Sequence, residues 1–234
     1  MSAASTPLRV LTGSILAVLL LTGCQAIEDG SRVISRADLV NDLASRLDRA
    51  TELTYSAEYQ LTGGESASIA QTQEPLQAAY SYPGGKLTVS AEATTECQTA
   101  GPKPSCILDA PPAQTNRPSV TVFTNANKRG LVTPPVVIGL LTAAALDPNA
   151  DIEQTDTTIA GRHATCVRVA GVDDAPTSQF NACVTAEGVL GQFTGTLDGN
   201  AVEMALSRYR NTVDGSVFEL PSGATVIDQR PGTK

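Results

Sequence analysis

Five cysteines hold most of the chemistry open to this 234-residue chain: Cys24, Cys97, Cys106, Cys166 and Cys183. A thiolate can act as a nucleophile, bind a soft metal, or be oxidised to a disulfide. Structural zinc wants four nitrogen or sulfur ligands, commonly in closely spaced cysteine pairs. These cysteines lack that spacing, and His163 is the single histidine, so no metal centre is expected. There is also no G-x-S-x-G, no Walker loop and no dinucleotide fingerprint. His163 stands in Gly161-Arg162-His163-Ala164 with no acid or nucleophile placed to work with it, and reads as a turn or edge residue. A calcium loop needs oxygen donors at repeated spacing. Asp173-Asp174 therefore reads as a solvated turn, and Asp147-Pro148-Asn149-Ala150-Asp151 as a helix stop. The chain is expected to be no enzyme and to need no cofactor.

The surroundings of Cys24 set it apart from the other four. Residues 1–23 carry one basic residue, Arg9, and no acid. The apolar run Val10 to Leu21 is broken only by Thr12, Gly13 and Ser14. That is short of the roughly 20 residues of a spanning helix and matches the apolar region of a secretory signal. It ends in Leu21-Thr22-Gly23-Cys24, which resembles the lipobox of bacterial lipoproteins. The resemblance implies cleavage between Gly23 and Cys24 and diacylglycerol on the Cys24 sulfur. The peptidase needs the small Gly23, and the lipid needs a nucleophilic thiol. One acyl chain anchors weakly, and lipoprotein processing adds more. The expected location is the extracytoplasmic face of a cell membrane, with the membrane itself as a partner through the lipid. The expected organisation is a signal over 1–23, a tether over 24–34, one domain over 35–228 and a tail over 229–234.

Export makes the remaining cysteines candidates for disulfides, although four cysteines allow three connectivities. Proximity favours Cys97–Cys106 and Cys166–Cys183. The strand pattern supports the second pair. Val167 and Val169 share one face, and so do Phe180, Ala182 and Val184, so pairing these faces puts both sulfurs on the opposite side. Loss of the signal leaves 211 residues, enough for one domain with a real core. The net charge of −8, the absence of tryptophan and the scattered basic residues argue against nucleic acid as a partner.

The elements that would position these residues follow from periodicity. Ser35 and Asp38 form an S-x-x-D start signal for a helix whose Leu39, Val40, Leu43, Ala44 and Leu47 make one stripe. Leu53, Tyr55, Ala57, Tyr59 and Leu61 then alternate with polar residues, as in a half-buried strand. Gly63-Gly64 turns into a weaker strand near Ala67–Gln73. Leu76–Tyr82 and Lys86–Ala93 flank Pro83-Gly84-Gly85 as a hairpin. Residues 94–118, rich in proline and threonine, read as a long loop, followed by a strand at Val120–Thr124. Thr133-Pro134 opens a helix that is apolar nearly all round to Leu146, so it should be covered on every side by protein or by an apolar ligand. Strands are expected near Thr165–Ala170, Gln179–Thr185, Val189–Leu197, Ala201–Tyr209, Val217–Leu220 and Thr225–Asp228.

This order, with the Tyr-bearing strand after the first helix and the closing Phe218-Glu219-Leu220-Pro221-Ser222-Gly223-Ala224, resembles the LolA/LppX/LprG superfamily of cell-envelope lipoproteins. Arg outnumbers Lys 12 to 4, as in actinobacterial chains. The resemblance implies an α+β fold: an incomplete antiparallel β-barrel wrapped around two or more helices, with a cavity for acyl chains. Candidate cavity walls are Tyr55, Tyr59, Tyr80, Val120, Val122, Ile138 and Leu141. Two readings follow: a carrier of a lipid or acylated ligand, or an interaction lipoprotein that binds an envelope protein. A large continuous cavity favours the first, and a filled core the second. In either case, Cys24→Ala should abolish incorporation of a fatty-acid label and release the protein from membranes on fractionation. Labelling equal to the parent's would place the lipid elsewhere.

Overall fold

The computed structural model describes residues 23–173 and 175–232. The expectations for Arg9 and for the run from Val10 to Thr22 fall outside them. The first helix, α1 (Gly23–Arg49), is longer than its start signal predicted. It runs through the expected 24–34 tether, and Ser35 lies inside it rather than capping it. No proline interrupts these residues, and nothing local forces the chain out of the helix before Ser35. The expected stripe is present: Val40, Leu43 and Leu47 are fully buried, with Leu39 and Ala44 packed beside them.

Twelve strands follow among the described residues, all in one open sheet. The first six are β1 (Tyr55–Leu61), β2 (Ser66–Gln73), β3 (Leu76–Tyr82), β4 (Gly85–Ser90), β5 (Thr94–Gln98) and β6 (Ser105–Asp109). After two short helices, α2 (Thr124–Lys128) and α3 (Pro134–Leu146), come β7 (Asp151–Ile159), β8 (Arg162–Ala170), β9 (Gln179–Thr185), β10 (Leu190–Leu197), β11 (Asn200–Arg210) and β12 (Thr225–Asp228). The order across the sheet is β12-β6-β5-β4-β3-β2-β1-β11-β10-β9-β8-β7. Two antiparallel meanders are thus joined by the pairing of β1 with β11, and β12 adds to one edge in parallel. The inward residues of both meanders share one apolar cluster with α1, α2 and α3, from Val40 and Ala126 to Val137, Val169 and Phe193.

Four sequence expectations need correction. Residues 94–118 contain the β5–β6 hairpin as well as a loop. Its alternation is hidden because Thr94, Thr95 and Ser105 are polar on both faces. Val120–Thr124 is not a strand. Val120–Phe123 is a 3-10 turn leading into α2, because the carbonyls of Ser119 and Thr121 accept from Val122 N–H and Thr124 Oγ1. Gly215–Phe218 is likewise a 3-10 turn, capped by the Asp214 side chain on Ser216 N–H, in place of the strand expected at Val217–Leu220. Finally, the expected strands leave out β7, which lacks the apolar alternation of a half-buried strand, since Ile152 is its one buried residue.

Both disulfides are formed, Cys97–Cys106 and Cys166–Cys183, and each links residues directly opposite each other on paired antiparallel strands. Cys166 and Cys183 face away from Val167 and Val169, as the alternation required. That face is not bare, however: Ala164 and Ile159 cover the sulfurs. The main core closes where the β9–β10 turn meets α1. A Cβ on Gly188 would lie 2.4 Å from the Arg46 carbonyl oxygen, and φ there is +89°. Gly188→Ala should therefore destabilise the protein by about 1–3 kcal/mol, read as a lower midpoint in urea. An unchanged midpoint would mean that the turn does not rest on α1.

Candidate functional site

The expected cavity walls begin on β1, where alternation turns Tyr55 and Tyr59 inward beside Ala57 and Leu61. Tyr80 joins them from β3, two strands away. All three tyrosines are buried, and burial pushes their hydroxyls well above the usual phenol range, helped at Tyr59 by the neighbouring Tyr80. They stay protonated at neutral pH and act as bulk and as dipoles, not as acids or bases. Tyr55 stacks on Tyr209 of β11 at 5.8 Å, and Tyr80 meets Phe123 edge to face at 4.9 Å. Such pairs add about 0.5–1.5 kcal/mol beyond area burial. Phe123 is fully buried and was not among the expected walls. Its signal was helical spacing to the buried Ala126, masked by the β-branched residues before it.

The other candidates divide. Leu141 is fully buried, Ile138 and Val122 are half-buried against the core, and Val120 is 48% exposed on the outer side of its turn. The α3 helix is not covered all round: Val137, Leu140, Leu141 and Ala144 face the core, whereas Gly139, Thr142 and Leu146 face outward. Gly139 and Thr142 make that exposure cheap on the outer turns, whereas Leu146 at the helix end is 79% exposed.

Tyr55 and Tyr80 line a gap between the end of α1, the start of α3 and the first strands. Its volume is about 30 Å³. Pockets that hold small-molecule ligands run to about 300–1,000 Å³, whereas a water needs roughly 10–15 Å³ of such space. The gap suits water and is far too small for an acyl chain. Its polar side is also in use. Gln71 Nε2 donates to the Ala50 and Leu53 carbonyls at 2.7 and 2.6 Å, and Gln73 Nε2 to those of Thr51 and Leu53 at 3.0 and 2.8 Å. These carbonyls belong to the turn that ends α1, where a helix leaves acceptors without intrahelical partners. A glutamine on the inward face of a strand was the sequence signal for this, and alternation-based reading passes over it.

Larger hollows lie at the surface. One of about 530 Å³ sits among the turns around Thr62, Gly84 and Gly130, and one of about 430 Å³ runs along Asn181, Thr194 and Glu203. At the other end of the strands the Arg162 guanidinium lies 4.0 Å over the Tyr209 ring and pairs with Glu187. This cluster ties β8 and the β9–β10 turn to β11. His163 beside it is exposed, and its carbonyl accepts from Ala186 N–H. Asp147 ends α3, its carboxylate accepting from Asn149 N–H at 2.8 Å and Asp173 N–H at 2.7 Å. Those bonds hold its carboxyl below the usual range. No helix is long and apolar enough to cross a membrane, and no cluster of metal-ligating side chains occurs, among the described residues.

No family model and no curated protein matches the sequence. Among solved structures, an uncharacterised conserved protein from Thermus thermophilus superposes with a TM-score of 0.48 at 7% identity, over 81% of this chain and 98% of that one. MucB in complex with MucA(peri) gives a TM-score of 0.45 at 11% identity, over 80% of this chain and 61% of that one. MucB alone gives the same score and identity, over 80% and 65%.

A filled interior makes a sharp mutational contrast. Ala144 is 1% exposed, so Ala144→Phe must overpack the core at a cost of about 1–3 kcal/mol. A Cβ on Gly139 meets nothing within 4 Å, and Gly139→Leu should be neutral or stabilising through helix propensity, by up to about 1 kcal/mol. Melting of the two variants checks this. Equal, near-normal melting for both would reveal empty volume behind α3.

Proposed function

We propose that this chain is an extracytoplasmic lipoprotein, held to a membrane through acylated Cys24, that binds an envelope protein and does not carry lipid. In this reading the open sheet and its helices form a half-barrel of the LolA/LppX/LprG kind. The space where such a fold would hold acyl chains is occupied by the protein's own side chains. One observation carries the choice: Tyr55, Tyr59, Phe123 and Phe193 are each less than 2% exposed, and the gap beside them is about 30 Å³.

The support for anchoring is the Leu21-Thr22-Gly23-Cys24 motif and its apolar leader. Since α1 includes Cys24, a lipid on that residue would be joined to the fold by a helix and not by a loose tether. Binding without catalysis fits the titratable groups: the tyrosines inside are held neutral by burial, and the ion pairs from Arg36–Asp151 to Arg210–Glu58 are spread over the surface. Exposed pairs of this kind add little to stability but give a partner a patterned charge to read.

Native mass spectrometry of the protein extracted from its own membrane tests the reading. The expected mass is the chain plus the acyl groups on Cys24, with no further lipid retained. A stoichiometric lipid that stays bound to Cys24→Ala protein would restore the carrier.

A further inference from the structure

The two edges of the sheet are treated differently. An edge strand exposes unpaired N–H and C=O groups, and natural proteins blunt it with short length, proline, lysine or a bulge. The β12 edge is blunted: it has four residues, and Arg230-Pro231 follows it closely. The β7 edge is not. It has nine residues, DIEQTDTTI, with no proline and no lysine, and it pairs with β8 in unbroken register from Asp151↔Ala170 to Ile159↔Arg162.

The hairpin geometry identifies which backbone groups are unpaired. Ile159 and Arg162 flank the two-residue turn Ala160-Gly161, whose φ values are 49° and 75°. The residues flanking such a turn exchange hydrogen bonds, and the pattern then alternates along the ladder. Thr157, Thr155 and Glu153 therefore also bond to β8. The next residue of β8 agrees: the His163 carbonyl accepts from Ala186 N–H on the β9 side at 2.9 Å, so its partner Thr158 is not bonded to β8. Ile152, Gln154, Asp156 and Thr158 consequently direct N–H and C=O away from the sheet. From Glu153 to Thr158 the side chains are exposed on both faces.

Charge selects the occupant. The strand carries Asp151, Glu153 and Asp156. The first two make exposed pairs with Arg36 at 3.8 Å and Arg168 at 3.2 Å, and Asp156 has no ion pair among the described residues. The whole chain has a net charge of −8. Two copies of β7 side by side would gather their acids at one seam, which is unfavourable. We propose that the β7 edge is the docking site for an extended, basic polypeptide segment of the partner protein, added to the sheet as a further strand. Backbone hydrogen bonds would supply affinity, and the acidic side chains the choice of sequence. This rests on the partner-binding reading above and names its surface.

The test uses the full chain and a synthetic peptide of alternating valine and lysine as probe, read by fluorescence anisotropy and by hydrogen exchange. Binding should slow exchange at the Gln154 and Asp156 amides and weaken as salt is raised. Gln154→Pro removes an outward N–H without touching the β8 ladder, a position where edge strands tolerate proline. It should weaken binding by about tenfold or more with melting near normal. Asp156→Lys should weaken it too, and serves if the proline variant does not fold. Protection at another edge, or affinity unchanged in Gln154→Pro, would overturn the proposal, since charge attraction alone survives that substitution. So would β7 amides already protected in the free protein by self-association. Lipid found inside the fold would sink the partner-binding function yet leave a β7 peptide site standing, so the two failures read differently.

Discussion

The pairing of β1 with β11 is the contact on which the rest of the structure depends. Nearly every other strand pairs with a neighbour in sequence, so each meander can assemble from local hairpins. The β1–β11 ladder joins Ser56 to Arg210 and Leu61 to Met204. Closing so long a loop costs conformational entropy that only the finished core returns. The seam is fastened accordingly. Ser207 Oγ donates to the Glu58 carbonyl beside the bulge, Ser56 Oγ to the Thr212 carbonyl, and Thr62 Oγ1 to the Glu203 carbonyl. Inside, Tyr55 stacks on Tyr209 across the same seam.

Once that seam is made, the interior has little freedom left. The large side chains of β1 meet those of α1, α3 and the far meander in a single cluster. The turn that ends α1 is held by Gln71 and Gln73 from β2, which fixes how far the helix can move from the sheet. A helix that could swing away would open room for an acyl chain. Here its last turn is bonded at one side and met by Gly188 at the other. The filled core and the fixed helix are thus one feature, and the proposed partner binding is accordingly placed on the surface and the edges.

Much of this was legible in the sequence where one face is dry and the other wet. The Tyr55–Leu61 alternation gave β1, Thr133-Pro134 gave the start of α3, and the matching faces around Cys166 and Cys183 gave a disulfide that the structure contains. Alternation fails where both faces are alike. The Thr-rich β5 and the exposed β7 carry no two-residue period, because each buries a single side chain, Cys97 and Ile152, and one buried residue sets no period. Val120-Thr121-Val122 carries strand propensity, but the Ser119 carbonyl and the burial of Phe123 make it a turn, and propensity yields to tertiary context. The size of the cavity could not be read at all. Filling depends on how side chains from separate elements interlock, and that is set by packing among residues far apart in sequence.

Partner binding in place of lipid carriage requires that the interior be filled. Titration of the purified protein with a fluorescent long-chain fatty acid tests this most directly, with tyrosine emission as a second readout because the chain has no tryptophan. We expect no saturable uptake and no change in tyrosine emission, since Tyr55 and Tyr80 are already buried and the gap beside them is about 30 Å³. One-to-one uptake that quenches those tyrosines would contradict the filled interior and show that the core opens to accept a lipid.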